Sequence, residues 1–175
     1  MSEDWLDSLE PTQRAKAHRM IQRMTELGTP DPQEWVQSEI EENIPQMASF
    51  LVLRNLWREI DAWRDQNTWM PQMVTESEEN PHGFFADAGI ALKRMQESGI
   101  SMNDVGCVAR FVAYSTTFSV LNRIDEGCDP EAAEDVPGWV LAETNSEGEG
   151  TGRVIAGLHE SILLLDPSGR EGKAV

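Results

Sequence analysis

The side chains best suited to chemistry in this chain are its carboxylates and its three histidines. Glu39 and Glu42 lie three positions apart in a predicted helix, so they share one face of it. Glu79 and His82 have the spacing of the Glu-x-x-His pairs that di-iron helical bundles use. Such a centre needs two of these pairs and two further carboxylates, whereas this sequence offers one pair, which Pro81 interrupts. The pattern is more typical of surface carboxylates than of a metal centre.

Other catalytic motifs are also missing from the sequence. There is no G-x-S-x-G nucleophile motif, and no pair of histidines has the spacing of a zinc site. The sequence therefore favours a non-enzymatic protein without a cofactor or a bound metal. The alternative is a small helical enzyme, or a bundle that binds a ligand or metal, in which certain ionisable residues converge in three dimensions. Those residues are Glu39, Glu42, His18, His82 and His159.

The acidic residues are concentrated in segments that contain no lysine or arginine. The densest segment lies between Arg123 and Arg153 and carries nine of the 31 acids of the chain. One interpretation is an acidic surface that binds a basic protein. The other is a solvated loop whose negative charge serves solubility. Under the first interpretation the partner-binding residues are Glu131, Glu134, Asp135 and Glu143.

Two tryptophans, Trp57 and Trp63, lie among arginines in one predicted helix. Exposed tryptophan and arginine are typical anchors of protein interfaces, so these residues are candidates for a homodimer contact. Alternatively, the two rings complete the core of the monomer and the arginine stems cover them. Both interpretations stay open at this level.

Composition argues against several classes of partner and compartment. The net charge of −17 repels nucleic acid and anionic lipid. The chain begins with an acidic segment, unlike a secretory signal, and no apolar run approaches the roughly 20 residues that span a bilayer. Two cysteines are too few for a disulfide framework. These features predict a cytoplasmic protein that binds neither nucleic acid nor membrane.

Hydrophobic periodicity predicts that helices position these residues. The segment 67–79 has no clean period and is predicted to be a long connection, and 125–152 to be an acidic, glycine-rich loop region with one or two short helices. A short flexible tail is expected over 167–175. The predicted helices span residues 12–27, 32–43, 47–66, 81–98, 101–126 and 153–165.

The helix over 101–126 is apolar around its whole axis, which predicts that the other helices enclose it. The sequence thus predicts an all-α fold, in which five to seven helices form a single domain over residues 1–175 around this central helix. The function most consistent with it is an acidic, non-enzymatic protein–protein interaction domain that forms a homodimer.

Overall fold

The computed structural model describes residues 4–132 and 135–167 and confirms the all-α class. The described part of the chain contains eight α-helices, six of them with at least eleven residues, and one small sheet. The helices are α1 Asp4–Ser8, α2 Pro11–Glu26, α3 Pro32–Glu42, α4 Gln46–Ala62, α5 Trp69–Glu79, α6 Ala86–Glu97, α7 Met102–Glu126 and α8 Leu158–Ser161, which a 3-10 helix Ile162–Leu165 follows; the strands are β1 Leu141–Thr144 and β2 Gly150–Ile155. No helix within 4–132 or 135–167 has the length and hydropathy of a membrane span.

The contacts divide the chain into two compact units. The first comprises residues 1–55 and 119–175, and the second is Leu56–Phe118. The expectation of one domain over residues 1–175 stays a prediction, because the density of contacts does not show whether a unit folds alone.

The core of the first unit forms between α2, α3 and the start of α4. Ala17 and Met24 lie seven positions apart and so face the same side of α2, where they are buried against Val36 and Phe50. The ring of Trp35 meets Phe50 edge-on at 5.9 Å between centroids. The predicted helices 12–27 and 32–43 are thus confirmed to within one residue at each end.

A β-hairpin replaces part of the predicted loop and helix in the first unit. Strands β1 and β2 pair antiparallel, with Leu141 opposite Ile155. Asn145 forms the turn, because its side-chain oxygen accepts hydrogen bonds from the backbone N–H groups of Glu147 and Glu149. The prediction that residues 153–157 begin a helix is therefore wrong, since β2 continues to residue 155 and α8 begins only at residue 158.

The second unit contains a helix that the sequence did not predict. Pro71 is the third residue of α5, where its missing N–H costs no hydrogen bond because the first four N–H groups of a helix have no partner within it. Helices α5 and α6 pack closely at Gly89, where an added Cβ atom would lie 2.3 Å from the carbonyl oxygen of Met73. The prediction of a long connection over 67–79 is wrong for this reason.

Helix α6 begins later than predicted. It starts at Ala86, and the residues after Pro81 form a turn in which Phe85 has a positive φ of 61°. Phe84 is 92% exposed and contacts Phe85, which is 63% exposed, so neither ring is buried against this helix.

Helix α7 occupies the predicted range, but it is not enclosed. Of its 25 residues only Gly106 and Leu121 are buried. At Gly106 the absent side chain allows the carbonyl oxygen of Arg64 to approach, because an added Cβ atom would lie 2.6 Å from it. The apolar pattern of α7 therefore predicted more burial within the chain than the structure shows, since Val108, Phe111 and Val112 are each more than half exposed.

Candidate interaction surface

Two of the predicted partner-binding acids lie at the surface after α7. Glu131 and Asp135 are both exposed, and no lysine or arginine of the described ranges lies within ion-pairing distance of either. Glu134 falls outside the described residues. The exposed pair is open to a basic partner, as the first interpretation of the acidic segment requires.

Glu143 has a structural neighbour instead. Its carboxylate binds Arg153 across the hairpin, at 2.5 Å from Oε1 to Nη2 and 2.8 Å from Oε2 to Nε, and also accepts a hydrogen bond from Thr151. Burial alone would raise the pKa of Glu143, but the hydrogen bonds from Thr151 and Arg153 outweigh it and hold that pKa below its usual value. With its side chain only 12% exposed, this acid is engaged within the fold.

Arg153 also binds Glu39, which joins the hairpin to the helices. Its Nη1 lies 3.0 Å from Glu39 Oε1, and Glu39 Oε2 accepts a hydrogen bond of 2.8 Å from the backbone N–H of Met47 near the start of α4. Burial alone would lower the pKa of Arg153, but the hydrogen bonds that its guanidinium donates to Glu143 and Glu39 raise that pKa overall. The Glu39 side chain is 3% exposed and Arg153 is 21% exposed, so a buried carboxylate is paired here with a partly buried cation within the fold.

The other ionisable residues of the alternative hypothesis are dispersed. Glu42 accepts a hydrogen bond from Ser38, and His18 and His82 are exposed. Within residues 4–132 and 135–167, no three His, Cys, Asp or Glu side chains are grouped so that they could hold a metal ion. Both oxygens of Glu39 are already occupied by Arg153 and the backbone, so this carboxylate is not presented to a ligand.

One ionisable pair was not predicted from the sequence. His159 Nδ1 lies 2.6 Å from Asp125 Oδ2, which also accepts a hydrogen bond from the His159 backbone N–H at the start of α8. The two residues are 34 positions apart, so no local pattern could reveal the pair. A carboxylate that orients an imidazole is the usual partner of a catalytic base, but here it also fastens α8 to the end of α7.

A cavity of about 410 Å³ in the second unit carries no ionisable side chain in its lining. Amide and hydroxyl groups offer hydrogen bonds, and methionine, proline, valine and leucine supply the apolar wall. Such a cavity could hold a small neutral molecule but provides no group for acid–base catalysis. Its lining consists of Gln66, Asn67, Met70, Pro71, Val74, Thr75, Leu92, Gln96 and Met102.

The two candidate tryptophans lie in different environments. Trp57 is 4% exposed, stacks on Tyr114 at 5.8 Å and lies beneath the guanidinium of Arg110. It therefore contributes to the core of the second unit, as the alternative interpretation expects. Trp63 is 42% exposed and meets Trp69 edge-on, so of the two predicted anchors it is the one that solvent reaches.

One side of α7 exposes several large apolar side chains. We define the α7 face as Val108, Phe111, Val112, Ser115 and Phe118, which recur every three or four residues and so share one side of the helix. The four apolar members are exposed by 62, 67, 54 and 37% respectively. The sequence predicts an apolar helix over 101–126 that the other helices enclose, whereas the structure leaves this side of it exposed.

The α7 face is also free of acid in a strongly acidic chain. No aspartate or glutamate occurs between Asp104 and Asp125, and the two arginines in this stretch already have partners. Arg110 binds Asp61 at 2.6 Å, and Arg123 binds Glu126. The face can therefore exclude water with another apolar surface, but it cannot donate or accept protons.

Comparison of the chain with known protein families, with curated proteins and with solved structures finds no match. The function is consequently inferred from the geometry of the chain's own residues.

Proposed function

We propose that this chain is a non-enzymatic, acidic, helical protein–protein interaction domain and that the α7 face is its principal binding surface. The observation that carries the proposal is the exposure of Val108, Phe111 and Val112 by more than half on one side of a regular helix. Contiguous exposed apolar surface of this kind typically marks an interaction site in a globular protein.

The area of the face is consistent with this function. Its four apolar side chains expose on the order of 400 Å² together, within the roughly 300–600 Å² of the largest patch on a typical monomer. At about 25 cal/mol per Å², covering them contributes on the order of 10 kcal/mol. Because association costs about 4–15 kcal/mol, surrounding contacts must supply the surplus that gives stable binding.

The ionisable groups support a non-enzymatic role. Glu39, Glu143 and Arg153 hold the hairpin against the helices, and Asp125 with His159 fastens α8. Each of these groups stabilises the fold where it lies. The metal-binding alternative makes a different prediction, since metal analysis of the purified chain would then find a stoichiometric transition metal.

A second binding surface follows from the exposed acids. Glu131 and Asp135, in a chain of net charge −17, favour a basic protein and disfavour nucleic acid. Binding there weakens as salt increases, whereas binding at the α7 face does not. The two surfaces are thus separable by ionic strength.

Affinity purification of the tagged full-length chain from its source cells tests the proposal. Phe111→Asp introduces a charge into the α7 face, and Val140→Asp is a matched control because Val140 is 70% exposed and lies in the first unit, on the segment before β1. We expect the wild type and Val140→Asp to recover the same proteins, the untagged chain included, and Phe111→Asp to lose at least one of them.

Recovery of the same proteins by all three chains, or of none above an untagged background, would contradict the assignment of the α7 face. Repetition in high salt then separates the two surfaces. A partner that is retained in low salt by Phe111→Asp and lost in high salt by every chain belongs to the acidic surface.

A further inference from the structure

We infer that a second copy of this chain occupies the α7 face, so that the protein is a two-fold symmetric homodimer with α7 packed against α7. The inference rests on the proposed function and names the partner for the face that it assigns. A two-fold axis brings the same patch of both subunits together, and therefore requires a patch that is complementary to itself.

The charge of the face meets this requirement. Elsewhere the chain is so acidic that two copies repel each other, since each carries a net charge of −17. The stretch between Asp104 and Asp125 has no acid, and its two arginines are neutralised by Asp61 and Glu126. A second α7 face thus brings no like charge, whereas a basic partner finds no carboxylate on this face to bind.

The distribution of side-chain sizes also allows two copies to pack. Ser115 and Thr116 are small, exposed residues one turn after Phe111 and Val112. In an antiparallel pair whose axis passes between positions 111 and 112, Phe111 lies opposite Val112 of the partner subunit and Val108 lies opposite Ser115 of the partner subunit. Large residues then meet smaller ones, which lets the helices approach closely.

The area agrees with the requirement of a stable dimer. A standard interface buries about 800 Å² on each partner, of which about 56–65% is apolar. The apolar members of the α7 face supply on the order of 400 Å², close to the apolar share of such an interface. Exposed polar neighbours on the same helix, Cys107 and Thr116 among them, provide the rim.

Sedimentation equilibrium of the full-length chain tests the inference. At a chain concentration of about 100 μM we expect a mass of twice the 19.6 kDa of one chain. Phe111→Asp should weaken the dimer at least about 30-fold, because a central aromatic residue is replaced by a charge, while Val140→Asp leaves it unchanged. Higher salt should strengthen the dimer, since screening reduces the repulsion between the two acidic chains.

Cross-linking locates the contact independently. In a chain with Cys107→Ser and Cys128→Ser, Val112→Cys should form a dimer with a short bis-maleimide linker, whereas Val140→Cys should not. Circular dichroism of each variant checks that it retains the helical content of the wild type.

Two results would overturn the inference. One is a wild type that stays monomeric, and the other is a dimer that Phe111→Asp leaves intact. If the chain is monomeric but still binds a partner through Phe111, the homodimer is contradicted and the proposed function is not. A partner set that is indifferent to Phe111 refutes the proposed function itself.

Discussion

Replacement of Arg153 by methionine leaves the buried carboxylate of Glu39 without its cation. The Glu39 side chain is 3% exposed, with one oxygen bound to Arg153 and the other to the backbone N–H of Met47. In Arg153→Met only the second of these interactions survives. Glu143, which is 12% exposed, loses the same cation but lies nearer to solvent.

The expected cost follows from this burial. Removal of one partner from a buried ion pair destabilises a protein by about 3–5 kcal/mol, because the remaining charge is left uncompensated. Arg153 is itself 21% exposed, so water can reach part of the vacated site, and the lower end of the range, about 3 kcal/mol, is expected. For a chain of this length that corresponds to a fall in Tm of roughly 6–12 °C.

Urea denaturation followed by circular dichroism and by tryptophan fluorescence measures the effect. Arg23→Met is the matched control, since Arg23 pairs with Glu26 at the surface and its removal should change the free energy of unfolding by less than about 1 kcal/mol. Adding Glu39→Gln to Arg153→Met should recover part of the loss, because the buried group is then neutral. An Arg153→Met variant no less stable than Arg23→Met, or a double variant less stable than Arg153→Met, would contradict the role assigned to Arg153.

Two further predictions concern the hairpin and the second unit. The folded pKa of Glu143 is lowered, so its contribution to stability is present above the carboxyl pKa of the unfolded chain, about 4.3, and is lost as pH falls through the lower folded value. The difference in urea midpoint between wild type and Glu143→Gln should therefore shrink as pH falls below about 4.3, with Glu147→Gln at an exposed position of the turn as the control; a difference that stays constant with pH would contradict this. Gly89→Ala should cost about 1–3 kcal/mol despite the better helix propensity of alanine, because the new Cβ atom would lie 2.3 Å from the Met73 carbonyl oxygen. Gly150→Ala, which meets open space, should cost less than about 0.5 kcal/mol, and equal Tm values for the two alanine variants would refute the packing argument.

The helices were predictable where their apolar residues repeat and their ends carry glycine or proline. Ala17 and Met24 identify α2 in this way, and the predicted range of α7 differs from the observed one by a single residue. Helix α5 was not predicted because proline usually interrupts a helix, although Pro71 lies in the first turn, where proline is tolerated. The hairpin was not predicted because its turn depends on the side chain of a single residue, Asn145, within a polar segment.

The sites were less predictable than the helices. Arg153 and Glu39 are 114 positions apart, so their ion pair exists only once α3 and the hairpin are folded. The face of α7 was unpredictable for a different reason. A run of valine and phenylalanine predicts that the face is covered, but it does not predict whether the covering surface belongs to the same chain or to another molecule. Glu143 was proposed as a partner-binding acid because its charge was visible in the sequence and its bond to Arg153 was not.

The two crowded glycines give the second unit a signature by which relatives could be recognised. At Gly89 and Gly106 a backbone carbonyl oxygen occupies the space that any side chain would need, at 2.3 and 2.6 Å from the missing Cβ atom. Surface acids can be replaced freely among homologues, but the glycine at each of these two positions cannot. We therefore expect diverged members of the same lineage to keep glycine at both, seventeen positions apart, after their other resemblance to this chain has disappeared.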